Sequence, residues 1–305
     1  MNTRLQALMI GQAGVCTSTQ ARRCETSEAD LAELVRRGEL VRVRRDAYVA
    51  GEIWSAATPE ARLALRARAV MLGRPRSSAS HQAALALHGL PLWGVDLSRV
   101  DLVVEVDRLR HRDGVRLHPS RAGESPVRAG GVRCVPVAVA VAQVGLEAGV
   151  APALVPLDHA LRTSVCTREE VAEAFERRAS GPLRRERGRS VLALADPASE
   201  SPGETRTRLL LTDMGVPFES QVDVRGPDGR LVGRVDFLVS GKVVVEFDGL
   251  VKYEGAQGRE ALVLEKRRED SLRSLGLEVV RLVWSDLDHP LRVAQLISAA
   301  LVRSD

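Results

Sequence analysis

Three carboxylates interrupt two short runs of strand-forming residues near the C-terminus. The stretch Arg234-Val-Asp-Phe-Leu-Val-Ser-Gly-Lys-Val-Val-Val-Glu-Phe-Asp-Gly249 carries Asp236, Glu246 and Asp248 among valine, leucine and phenylalanine. Acidic side chains are depleted in strands and costly to bury alone, so this pattern calls for a compensating cation. A hard divalent metal supplies one. Mg²⁺ takes oxygen ligands from one or two carboxylates and completes its shell with water and substrate phosphates. The chemistry expected is hydrolysis of a phosphodiester assisted by Mg²⁺ or Mn²⁺.

Register decides whether the carboxylates meet. Along Lys242–Asp248, Val243, Val245 and Phe247 share one face, and Val244, Glu246 and Asp248 share the other. A three-residue loop at Ser240-Gly241-Lys242 sets Asp236 opposite Glu246, whereas a two-residue loop puts them on opposite faces. Upstream, Ser201-Pro-Gly-Glu204 offers a cap residue, proline at the first helical position and glutamate at the third, a capping box. Glu204 either serves that cap or leans toward the sheet. Downstream, Glu265-Lys-Arg-Arg-Glu-Asp270 lies on a helix with Lys266 and Arg273 on one face. Lys266 beside a phosphodiester could neutralise its transition state or orient the attacking water; the alternative is a solvated charged face.

The elements needed to position these groups are readable at the C-terminus. From Glu204 the pattern is helix to Met214, strand Phe218–Val224, turn at Pro227-Asp228-Gly229, the strand pair, helix Gln257–Leu275, strand Leu277–Trp284 and helix Leu291–Val302. That order predicts an α/β domain over 196–305, with a mixed sheet flanked by helices. Asp196-Pro-Ala-Ser-Glu-Ser-Pro-Gly203 reads as a linker into it.

Residues 1–51 read as three helices followed by a hairpin. Thr17 or Ser18 caps a short helix through Arg23, Ser27 opens another through Arg37, and Leu40-Val-Arg-Val-Arg44 alternates at period two before turning into Tyr48-Val49. This predicts a winged helix-turn-helix. Its Ser27–Arg37 helix would carry Arg36 and Arg37 to the major groove, and Arg42, Arg44 and Arg45 of the wing would touch phosphates; the alternative is that these arginines form a solvated face. A middle α+β region follows over 58–195, with helices at Pro59–Leu72 and Ser80–His88, strands at Val100–Val106 and Val115–Leu117, and a capping box at Thr167-Arg-Glu-Glu170. His81, His88 and His118 lack metal-ligand spacing, and His81 beside Ser80 reads as a structural hydrogen-bond partner.

Bulk properties are those of a multidomain globular protein. The chain has 305 residues, 45% hydrophobic and 28% charged, with a net charge of +4. That length exceeds one ordinary core. The mild basic excess, almost entirely arginine, suits phosphate contacts, and a high-GC genome would give the same bias. Cys16, Cys24, Cys134 and Cys166 show no Cys-x-x-Cys spacing, so neither a zinc site nor a disulfide framework is expected, and a reducing cytoplasm is. No apolar run approaches the ~20 residues of a membrane span.

Asp236 followed by Glu246-Phe-Asp248, with helical Glu204 upstream, resembles the PD-(D/E)xK nuclease core. More closely, Gly-Arg-Val-Asp236-Phe, Val-Glu246-Phe-Asp-Gly249, Glu265-Lys-Arg-Arg-Glu-Asp270 and Gly276-Leu-Glu-Val-Val-Arg281 resemble very-short-patch-repair-like endonuclease domains. The resemblance covers about 196–290. It implies a restriction-endonuclease-like fold, Mg²⁺, and Asp236 and Glu246 as metal ligands assisted by Asp248. Asp248 stands where the family's triplet lysine would be, so the cation must come from Lys266 or Lys252. The zinc ligands of the mismatch-repair enzyme itself are absent. The first ~180 residues resemble AbiEi-type antitoxins, through Gly38-Glu-Leu-Val-Arg-Val-Arg-Arg-Asp-Ala-Tyr48, Ser80-His-Gln-Ala-Ala-Leu-Ala-Leu-His-Gly89 and Gly114-Val-Arg-Leu-His118. That family implies promoter DNA binding by the winged helix, and a cognate toxin or self-association as partner. Two functions follow as expectations: a DNA-binding, Mg²⁺-dependent endonuclease, or a transcriptional regulator whose nuclease fold is inactive. An RNA-directed nuclease is a third.

Overall fold

The computed structural model describes residues 1–121, 125–249 and 256–304, with the backbone alone over 256–263. Lys252 lies outside the described residues. Among those described, the chain is a mixed α/β protein with thirteen α-helices and three sheets. It divides into two compact units, Met1–Ala195 and Asp196–Asp305. No described helix is long and apolar enough to cross a membrane, and all four cysteines are free.

The first unit opens with α1 (Thr3–Gly11), β1 (Val15–Thr17), α2 (Ser18–Arg23), α3 (Glu28–Arg36), β2 (Leu40–Arg44) and β3 (Ala47–Ala50). Reciprocal capping boxes start α2 (Thr17 with Gln20) and α3 (Ser27 with Asp30), which satisfies amide donors that a helix start leaves bare. The three strands form an antiparallel sheet in the order β1-β3-β2. β1 leaves no mark in the sequence: three residues are too few for a periodic pattern, and its pairing partner lies some thirty residues on. Leu5, Met9, Leu31, Leu34 and Leu40 pack into one small core.

The same unit continues through α4 (Gly51–Ala56), α5 (Pro59–Leu72), β4 (Ser78–Ala79), α6 (His81–Leu87), β5 (Val100–Val104), β6 (Arg110–Arg112), β7 (Val115–Pro119), β8 (Val127–Ala129) and β9 (Val132–Cys134). Four helices complete it: α7 (Val137–Ala148), α8 (Val150–Arg162), α9 (Arg168–Arg178) and α10 (Pro182–Leu194). Six strands build a mixed sheet in the order β6-β7-β5-β4-β9-β8, parallel at β5–β7 and β4–β9. Every residue of α6 is buried, which its Ala-rich sequence permits, since small side chains let neighbouring helices approach on all sides. The capping box of Thr167 and Glu170 starts α9.

The second unit comprises α11 (Pro202–Asp213), β10 (Phe218–Arg225), β11 (Leu231–Val239), β12 (Val243–Phe247), α12 (Ala256–Ser274), β13 (Glu278–Leu282) and α13 (Pro290–Arg303). Its sheet runs β10-β11-β12-β13, antiparallel except for the last pair. Val243 and Val245 pack with Leu211, Val293 and Ile297 on one face. Val244 packs with Leu272 on the other. The segment that reads as a linker is packed here: Ser199 is buried, and Pro202 and Gly203 already belong to α11.

Candidate active site

The turn between β11 and β12 is three residues long. Val239 faces Val243, Leu238 faces Val244 and Phe237 faces Val245 across it. Ser240 and Gly241 take positive φ (50° and 68°) to close it. The backbone ladder stops at Phe237–Val245, and Asp236 comes next. Its Oδ2 accepts a hydrogen bond from the Phe247 N–H at 2.8 Å, so a side chain takes over where main-chain pairing ends. β11 also exchanges faces here: Phe237 and Val239 pack with Leu211 and Ile297, whereas Val235 packs with Leu272.

Gln221 stands across from Asp236, between the pairs Ser220–Phe237 and Val222–Val235. It holds a left-handed φ of 55° inside a strand, a conformation costing a non-glycine residue on the order of 1–3 kcal/mol. Its Nε2 donates to Glu204 Oε2 at 2.9 Å, and the Glu200 N–H donates to the same oxygen at 2.8 Å. The Glu204 N–H bonds Ser201 Oγ at 3.1 Å. Half of the capping box therefore forms, while the carboxylate turns away from the cap toward Gln221. Glu204 is 7% exposed.

Glu246 meets a cation from α12. Arg268 donates to Glu246 Oε1 at 2.5 Å, to Glu265 Oε1 at 3.1 Å and to the Arg234 carbonyl at 2.7 Å. Arg281 on β13 pairs with Glu265 and Glu269. Asp236 is left with weaker compensation. Burial pushes its carboxyl up to about 6, Glu204 and Glu246 add to the rise, and the Phe247 N–H and Arg268 oppose it. Asp248 follows β12, half-buried, its N–H donating to the Leu282 carbonyl at 2.8 Å.

The structure thus brings Glu204, Asp236 and Glu246 into one electrostatic neighbourhood, and Arg268 supplies its cation. Lys266 is exposed. Helical geometry explains the exchange: at about 100° per residue, Arg268 lies roughly 40° from buried Leu272 and Lys266 roughly 120° away. Taking Leu272 as the core-facing marker would have singled out Arg268 in the sequence. Nothing comparable marked Gln221, whose role depends on a backbone angle. The donor set is all oxygen, the kind that hard ions such as Mg²⁺ or Mn²⁺ take, and Asp236 and Glu246 are the residues that could hold one.

The arginines of the N-terminal region are arranged unevenly. Arg42, Arg44 and Arg45 line a cavity of about 950 Å³ together with Arg22, Arg74 and Arg112. Burial, then Arg44 and Arg112, lower the Arg74 pKa, while Asp46 and Asp113, which also line the cavity, oppose the shift. Arg36 and Arg37, at the end of α3, are exposed, do not line this cavity, and pair with Glu33 and Glu39.

The chain is similar to two proteins from strains of Mycobacterium tuberculosis, the uncharacterized proteins Rv2248 and MT2308. Each is 29% identical over 280 residues, covering 88% of this chain and 95% of the relative. The likeness therefore runs through both units. No family model matches the chain.

Proposed function

We propose that the protein is a DNA-binding endonuclease that hydrolyses phosphodiester bonds with Mg²⁺ or Mn²⁺. The observation carrying this reading is Asp236, a half-buried carboxylate at a strand parting, pushed up to about 6 among Glu204 and Glu246. A carboxylate in that state gains from a divalent cation, and the same cation would activate water and stabilise charge on the phosphate. Gln221 and the Glu200 N–H fix Glu204 beside it, and Arg268 orients Glu246. The α2–α3 pair with the β2–β3 hairpin supports a winged helix, and the six-arginine cavity suits a phosphate backbone. The order α11-β10-β11-β12-α12-β13 supports a restriction-endonuclease-like fold for the second unit. The test is cleavage of a mixed DNA panel, with RNA alongside, by wild type, Asp236→Ala and Glu246→Ala. Metal-dependent cleavage abolished in both variants is expected; cleavage undiminished in both overturns the assigned site.

One observation favours a second reading, a transcriptional regulator or antitoxin-like protein with an inactive nuclease fold. Arg268 already neutralises Glu246 at 2.5 Å, and Asp248 replaces the triplet lysine. Metal-independent binding to its own promoter, without cleavage under any divalent cation, selects it.

A further inference from the structure

The first unit holds a cluster of two buried histidines and an exposed glutamate that the nuclease reading leaves unused. His81 opens α6, His118 lies on β7 and Glu147 lies in the last turn of α7. Among the described residues, these three form the one group of His, Cys, Asp or Glu side chains with ligand atoms all within 4.8 Å of one another. The imidazoles stack with ring centroids 4.0 Å apart. His81 Nε2 lies 2.9 Å from Glu147 Oε1, and His118 Nδ1 lies 3.6 Å from the same oxygen.

The protonation pattern makes that convergence unusual. Asp101 is fully buried and accepts from Gln82 Nε2 at 2.8 Å, Arg116 Nε at 2.6 Å and His118 Nε2 at 2.6 Å. A carboxylate in such company only accepts, so His118 carries its proton on Nε2. Its other ring nitrogen, Nδ1, is then left 3.6 Å from Glu147 Oε1 with no hydrogen bond between them. The two imidazoles are buried and the Glu147 carboxylate is open to solvent, so three donor atoms converge at a place that an ion can reach.

The surroundings are those of a metal centre. Each ligand is held through its other polar atom: His118 by Asp101, His81 Nδ1 by Ser80 Oγ at 3.0 Å, and Glu147 Oε2 by Arg116 at 2.7 Å. Carboxylate-to-histidine support of this kind orients metal-bound imidazoles. His81 adopts φ +50°, and its N–H is tied to Gln143 Oε1 at 2.8 Å. Glu147 places negative charge at a helix C-terminus, which the helix dipole disfavours. Tetrahedral zinc with bonds of about 2.0–2.1 Å separates its ligands by roughly 3.3 Å, within the spread seen here. A cavity of about 150 Å³ opens beside the three side chains, with Arg121, Arg178 and Arg184 on its wall.

We infer that His81, His118 and Glu147 bind a divalent transition metal of the zinc type, with a fourth position open to an exogenous anion. Three protein ligands plus an open position is the arrangement of catalytic rather than structural zinc, and the arginine wall suits a phosphate-like ligand.

Chelator-stripped full-length protein titrated with Co²⁺ tests this. Intense visible bands of tetrahedral cobalt are expected, displaced by Zn²⁺ and shifted by inorganic phosphate. They should persist in Glu246→Gln, which separates this site from the carboxylates of the second unit, and vanish in Glu147→Gln and His118→Ala. Absence of the bands in wild type, or their survival in Glu147→Gln, overturns the site. Bands unmoved by phosphate overturn the open position. The wild-type spectrum decides the matter even if His118→Ala fails to fold.

Discussion

Asp236 accepts the Phe247 N–H at 2.8 Å where β11 parts from β12. One carboxylate therefore does two jobs: it closes a gap in the sheet and contributes charge to the site. Asp236→Asn separates them, because the amide oxygen still accepts while the charge is gone. At pH 8, with chelator present, the variant is expected to be at least as stable as wild type, since repulsion from Glu204 and Glu246 is relieved. Under the nuclease reading, Mg²⁺ or Mn²⁺ should raise the melting temperature of wild type and leave that of the variant unchanged. Asp236→Ala, which also orphans the Phe247 N–H, should lose about 1–3 kcal/mol.

The raised Asp236 carboxyl gives stability a pH signature in the metal-free protein. Its folded value of about 6 exceeds its ordinary 3.8, so the native state holds a proton that the unfolded chain has released. The contribution is fully present below about pH 4 and is lost as pH rises through 6. A gap of about two units corresponds to roughly 3 kcal/mol. Hydrogen exchange of the β12 amides in EDTA should show this step in wild type and not in Asp236→Asn. A flat difference between the two proteins from pH 4 to 8 would refute the shift.

Much of this site was legible in the sequence because its parts are local. Ser240-Gly241-Lys242 joins its strands directly, so the register of Asp236 reduced to a choice between a two- and a three-residue loop, and the loop has three. Thr167, Ser27 and Pro59 start helices through chemistry within one turn. The histidine cluster was not legible. His81, His118 and Glu147 come from three elements joined only by tertiary packing, and spacing rules for metal ligands describe single motifs. Gln221 was hidden for another reason: its function rests on a left-handed backbone that no neighbouring residue announces.

Arg268 and Lys266 make opposite predictions. Arg268 bridges Glu246, Glu265 and the Arg234 carbonyl, whereas Lys266 is exposed two residues earlier. Under the nuclease reading, Arg268→Ala should lower cleavage about 10²-fold or more, by analogy with loss of one transition-state donor. Arg268→Lys should recover only part, since an ammonium cannot reproduce the fork. Lys266→Ala should stay within a few-fold of wild type. Initial rates at saturating metal check all three, and the reverse order would return the cationic role to Lys266.

Under the DNA-binding reading, the arginine cavity predicts how binding depends on salt. Removing one arginine that neutralises a phosphate should reduce the slope of log K against log salt by about 0.9 on duplex DNA. Arg42 already donates to the Arg44 and Arg45 carbonyls at 3.2 and 2.6 Å, which presets the shape of the β2–β3 turn. Arg42→Ala should therefore weaken binding through shape as well as charge, while Arg45→Ala should lower the slope by about that single step and leave the turn intact. Arg36 and Arg37, paired with Glu33 and Glu39, should matter less unless α3 enters a groove. Affinity measured across a salt series separates these cases. If Arg36→Ala lowers the slope as much as Arg45→Ala, α3 lies against phosphates, and the cavity alone does not define the DNA surface.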